Sequence, residues 1–184
     1  MTGLTTTTSA ASFPLLIPQN PVALSGDRLK EYVAARNKAR NLSDTCKKFL
    51  QGLGIENPND VLGALGKQRA FDGMASTLSL DAAGLQKGNP LSVAEAFGAA
   101  KEDREKGIIG PLYAMTAIEG GDRTRYNVYF SDMPITADTV LHEAIHSLTK
   151  LDDDALAKAA GVTKIPKGSS SSEEFNKALV KNCF

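Results

Sequence analysis

Histidine is almost missing from this sequence. Its 184 residues include only two, His142 and His146, so no site built from three imidazoles is possible. Cysteine is as scarce: Cys46 and Cys183 stand far apart and make no CxxC pair. They either form one disulfide tying the C-terminus to an early helix, which suits an extracytoplasmic protein, or remain as two buried thiols. Net charge is absent too, with 21 Lys and Arg against 21 Asp and Glu. That balance argues against a nucleic-acid or membrane-surface partner found by long-range electrostatics. No apolar run approaches the length of a transmembrane helix. The opening MTGLTTTTSAASFPLLIPQN lacks the basic end and long apolar stretch of a signal peptide.

What is present suits one domain with an appended segment, long enough to bury a substantial core. Residues 1–20 read as a disordered Thr/Ser-rich linker, and a linker there suggests a chain cut from a longer polypeptide. Residues 21–184 read as a single domain, with a helical part over 21–107 and a motif-bearing part over 108–184. Asn41-Leu42-Ser43 fits the glycosylation acceptor pattern, but Ser43 serves better as a helix N-cap.

Helical spacing runs from Ser25 to Gly54, first through Leu29, Tyr32, Val33 and Ala34. A second run follows the Ser43-Asp44 cap through Cys46, Phe49 and Leu50. Asn57 to Asp60 turns into a short helix over 61–65. Repeated glycines make residues 70–91 a loop with one short element, and Ser92 caps a helix through Lys106 with a solvated KEDREK end. Residues 112–118 and 125–130 lean toward strand around Gly120-Gly121-Asp122, which predicts an antiparallel hairpin. Pro134-Ile135-Thr136 leads into a helix that holds both histidines, and further helices are expected over 152–160 and 173–182, the last with Phe175, Leu179 and Val180 inward, after a flexible KGSSSS loop. The fold class is α+β and mostly helical, with a small antiparallel hairpin or sheet ahead of the helix that bears the histidines.

Both histidines lie in TVLHEAIHSL, residues 139–148. On a helix, positions i and i+4 stack one turn apart on one face, so two imidazoles there can present nitrogens to a single ion. Zn²⁺ takes such ligands at about 2.0–2.1 Å. Glu143 is turned away from direct ligation but can reach a water held by the ion, whose pKa falls toward about 7. The acid then accepts the proton, and the water attacks a peptide carbonyl. Thr139, Val140, Leu141, Ala144, Ile145, Ser147 and Leu148 are uncharged, as a helix packed into a core requires.

This ten-residue pattern resembles the extended signature of the zincin metallopeptidases, HExxH, at every position. The resemblance implies a zincin-like domain that hydrolyses peptide or protein substrates, with His142 and His146 on zinc, Glu143 as general base and then general acid, and an edge strand that aligns the substrate. A catalytic zinc needs a third protein ligand, and with no further histidine it must be a carboxylate, a cysteine or a tyrosine. Asp152 falls where metzincins place theirs, although Thr149 replaces their turn glycine. A closer similarity is to bacterial proteins with the form HELLH, a short loop, D-x-x-[LI]-A and a cysteine near the end. CKKFLQGLG, HEAIH, DDALA and KNCF resemble that arrangement over residues 43–184. It implies aspzincin-like ligation with Asp153 as third ligand, ahead of Asp154, Asp152, Glu173 and Glu174, and a secreted or extracytoplasmic location. The acidic triplet also has a plain role as a helix cap. Tyr113, Tyr126 and Tyr129 are the only tyrosines near the motif that could stabilise an oxyanion, and none is assigned. The alternative reading is a non-catalytic zinc-binding or effector module of a larger secreted protein.

Overall fold

In the computed structural model the described residues are 15–81, 113–116 and 125–184, with backbone alone for 15–20 and 77–81. Their elements, in chain order, are β1 (Leu15–Asn20), α1 (Gly26–Ala39), α2 (Asp44–Gly52), α3 (Asp60–Lys67), β2 (Arg69–Asp72), β3 (Thr77–Asp81), β4 (Ala114–Thr116), β5 (Asn127–Phe130), α4 (Ala137–Thr149), α5 (Asp153–Ala159) and α6 (Ser171–Cys183). Helices dominate and the sheets are small, so the fold is α+β, as predicted.

The centre of the molecule is α4. Every residue from Thr139 to Ser147 is buried, and a helix buried on all sides needs partners all round. α1, α3, β4 and α6 supply them. Val140, Leu141, Ala144 and Ile145 are wholly shielded from solvent. Each of the larger ones contributes about 1.5–3 kcal/mol of transfer free energy. Polar links then fix the position of α4. Gln68 accepts from the Tyr32 hydroxyl at 3.1 Å and donates to the Val140 carbonyl at 3.2 Å, joining α1, the approach to β2 and α4. Ahead of α4, Arg28 donates to the Ser131 carbonyl at 2.5 Å and Glu31 accepts from the Ile135 N–H at 3.0 Å.

Beside α4 lies a three-stranded sheet in the order β2-β5-β4. β4 and β5 pair antiparallel, as the sequence predicts for 112–118 and 125–130, and the tip at 120–122 lies outside the described residues. β2 adds a parallel partner on the other side of β5, making the sheet mixed rather than purely antiparallel. The loop with one short element expected over 70–91 does not locate this strand, because RAFD is short and flanked by polar residues and a glycine. β3 also falls in that stretch and pairs antiparallel with β1. Leu15–Asn20 is therefore strand, where the Thr/Ser-rich composition of residues 1–20 predicts a disordered linker; the three aliphatic residues of LLIPQN set it apart. Residues 1–14 and the helix expected over 92–106 lie outside the described residues.

Three further details differ from expectation. On α1 the inward face is Tyr32, Ala35 and Ala39, while Leu29 and Val33 look outward. Val180 is 47% exposed, whereas Phe175 and Leu179 are buried. α6 also begins inside the serine run, because Ser170 caps it by accepting from the Glu173 N–H at 3.2 Å. Cys46 and Cys183 are joined, which fastens the end of α6 to α2 across 137 residues. No helix among the described residues is long and apolar enough to cross a membrane.

Candidate metal centre

α4 places its two imidazoles on one face. The ring centroids are 4.6 Å apart and the two Nε2 atoms 2.8 Å apart. After Thr149 the backbone turns sharply at Lys150, which has φ 59° and donates its N–H to the His146 carbonyl at 2.8 Å. A left-handed residue here sends the chain back beside the helix it has just left. A branched side chain tolerates that conformation poorly, so Lys150→Val is expected to lower the unfolding free energy by about 1–2 kcal/mol in urea denaturation.

The returning chain starts α5 with three aspartates, each with its own role. Asp152 is the N-cap, accepting from the Ala155 N–H at 2.7 Å. Asp153 turns toward the histidines, its Oδ1 2.9 Å from His142 Nε2 and 3.2 Å from His146 Nε2. Asp154 accepts from the Ser171 hydroxyl. The rival acids Glu173 and Glu174 lie elsewhere, both paired with Lys177 and both accepting from Ser169 Oγ. The structure thus brings together His142, His146 and Asp153 and leaves the other four candidates outside.

The outer sides of the rings are also held. His146 Nδ1 lies 2.6 Å from the Leu151 carbonyl oxygen, which only accepts, so in the neutral ring this nitrogen carries the proton and Nε2 is left with a lone pair. His142 Nδ1 lies 2.8 Å from Asn176 Oδ1 on α6, and Phe175 packs edge-on to the same ring at 4.9 Å between centroids. Asn176 and Thr116 are the site residues that sequence reasoning misses. An asparagine in a C-terminal helix and a threonine in a three-residue strand carry no motif.

Charge converges here as well. Burial pulls the His146 pKa down, but the hydrogen bond to Asp153, the charges of Glu143 and Asp153, and the Leu151 carbonyl together leave it raised. Burial pushes Asp153 up, and the hydrogen bonds and charges of both histidines outweigh it, so its carboxyl sits well below the usual range. Glu143 is itself buried, at 5% exposure. Its Oε2 accepts from Thr116 Oγ1 on β4, and its backbone carbonyl accepts from Ser147 Oγ at 3.0 Å.

The arrangement fits a metal ion. Three ligands at about 2.0–2.1 Å in a tetrahedron stand about 3.3 Å from one another, and the three atoms here are 2.8–3.2 Å apart. Slight expansion would bring them to coordination distance. Access is available, since the Asp153 side chain is 43% exposed while both rings are buried. A groove of about 380 Å³ lies beside Asn176, bordered by Tyr113, Asp138, Lys177 and Val180, and none of the three ligand residues lines it. The group could therefore hold a metal ion. No family model, no curated protein and no solved structure matches the chain.

Proposed function

We propose that this domain is a zinc-dependent metalloendopeptidase of the zincin type, with His142, His146 and Asp153 holding Zn²⁺ and Glu143 acting as general base. The observation that carries this reading is the meeting of two imidazole nitrogens from buried α4, with an acid between them in the chain, and one carboxylate oxygen from the start of α5. Two neutral nitrogens and one anionic oxygen suit Zn²⁺, and three protein ligands leave the fourth position for water or substrate. When bound, the ion lowers the pKa of water toward about 7 and polarises a peptide carbonyl.

The remaining work falls to the chain. Glu143 accepts the proton of the attacking water and returns it to the departing amine. Thr116 donates to Oε2 and so fixes the plane of that carboxylate. A peptide or protein substrate approaches from the exposed Asp153 side. The Cys46–Cys183 bridge supports an oxidising, extracytoplasmic setting. An acid that touches no ligand atom has no part in simply holding an ion, and for this reason we favour an enzyme over a zinc-binding effector module.

The test is Glu143→Gln. The variant should keep one equivalent of zinc while hydrolysis of an unstructured protein such as casein falls by about 10²–10⁴-fold, the usual contribution of a positioned proton acceptor. Equal activity in variant and wild type refutes the mechanism. A zinc-loaded wild type that cleaves nothing leaves the non-catalytic module standing.

A further inference from the structure

We infer that Asn176, on α6, is a positioning residue that commits His142 to metal binding by fixing which of its nitrogens carries the proton. This rests on the metal-centre reading above and adds a part to it from a third helix. A neutral imidazole has one N–H and one lone pair, and only the lone pair can ligate. For His146 the choice is made by the Leu151 carbonyl, a pure acceptor 2.6 Å from Nδ1. Among the described residues no backbone carbonyl takes that role for His142. Its Nδ1 faces the side-chain amide of Asn176, with Oδ1 at 2.8 Å.

An amide can act in either sense, and here the two senses build different sites. With Oδ1 toward the ring, Nδ1 keeps the proton, and His142 Nε2 points a lone pair at His146 Nε2 and Asp153 Oδ1. With both rings neutral, three acceptors then converge within 3.2 Å and none of the three facing atoms carries a proton. Such a cluster attracts a cation. With the amide reversed, Nε2 would carry the proton and donate it to Asp153 across 2.9 Å. The cluster would then satisfy itself as an ordinary hydrogen-bonded core, with nothing left to bind. The structure places oxygen toward the ring, the sense that leaves the site open. Asn176 is thus the difference between a trap for a cation and a closed polar contact.

Its position is secured by its neighbours. Phe175, next in the chain, is buried against the His142 ring, and Cys183, two turns on, is bonded to Cys46. The amide therefore comes to the ring on a helix fixed at both ends of the contact. Acceptors on the outer nitrogen of a metal-binding imidazole are worth about 10–100-fold in affinity.

With only two histidines, the experiment is direct. In metal-free protein labelled with ¹⁵N-histidine at pH 8, long-range proton–nitrogen correlation should show two imidazoles, both protonated on Nδ1. In Asn176→Leu, which keeps the shape and removes the acceptor, one ring should shift to the Nε2-protonated form. Cobalt or zinc affinity, read by competition with a coloured chelator, should fall by about 10–100-fold. Asn176→Asp can only accept, so it should keep the wild-type tautomer and bind metal at least as well. Folding is checked by the thermal transition of the metal-free proteins.

The inference is overturned if Asn176→Leu leaves both the tautomer and the affinity unchanged. It is equally overturned if Asn176→Asp binds as weakly as Asn176→Leu, or if wild-type His142 is protonated on Nε2. Wild type that shows the expected tautomers yet takes up no cobalt or zinc refutes the metal centre and, with it, the role of Asn176 in serving it.

Discussion

Loss of the Cys46–Cys183 bridge should reduce the free energy of unfolding by about 5 kcal/mol. The bond closes a loop across 137 residues, and in the chain-entropy picture a loop of that size constrains the unfolded state by about this much. For a domain of this length each kcal/mol moves the thermal midpoint by about 2–4 °C, so the double variant Cys46→Ala, Cys183→Ala should melt about 10–20 °C lower. Urea denaturation of wild type with and without reductant gives the same quantity without a mutation. A loss below about 1 kcal/mol would show that the unfolded chain is already compact around these residues. Part of the effect should be local, because Cys46 is fully buried against the core and Cys183 ends α6.

Replacing either histidine by alanine should cost zinc affinity at least about 100-fold. The free energy of a structural zinc site, about 10–16 kcal/mol, is shared among few ligands, so one ligand carries several kcal/mol. Asp153→Ala should behave likewise. Asp152→Ala provides the contrast, losing a helix cap worth about 1 kcal/mol of stability while zinc stays bound. In wild type, free zinc at about 100 times its dissociation constant adds about 2.7 kcal/mol, raising the melting temperature by about 5–10 °C until a chelator removes it. Asp153→Ala should show no such rise. A zinc-dependent rise in that variant equal to wild type would falsify the ligand set.

Acid should weaken the same binding. The ligands must be deprotonated to coordinate. Burial lowers the His146 pKa, but Asp153, Glu143 and the Leu151 carbonyl raise it further and leave it above the ordinary value of 6.5. Protons therefore begin to compete with metal at a higher pH than they would for a free imidazole. Titration of zinc affinity from pH 8 downward should show the loss beginning above that ordinary value.

The face of α4 that matters is legible in the sequence alone, because the period of a helix is rigid. Two histidines four apart share a side whatever surrounds them, and the uncharged residues around the His-Glu-His trio mark a buried helix. Asp153 ranks ahead of Asp152 and Asp154 only by resemblance. Three adjacent aspartates differ in direction by the turn of the chain at Lys150, a lysine in a conformation no composition rule expects. Asn176 and Thr116 are invisible for another reason, since each meets its partner across a contact between elements distant in sequence. β2 is hidden similarly: four residues reading RAFD become a strand only when β5 lies beside them. Val180 misleads because an α6 stripe of Phe175, Leu179 and Val180 is wider than the core it meets.

The parallel pairing of β2 with β5 also governs how the molecule is assembled. Residues 69–72 must find residues 127–130 directly, without a hairpin to guide them, and closing so wide a loop costs entropy before any contact is gained. Neighbouring helices can collapse early and cheaply, but this ribbon can zip up only after the stretch between has been made and gathered in. Maturation should accordingly be slow for a mostly helical chain of this size. β4 pairs with β5 and presents Thr116 to the acid on α4, so a molecule caught partway through folding would carry both imidazoles while the carboxylate between them still lacked its threonine partner.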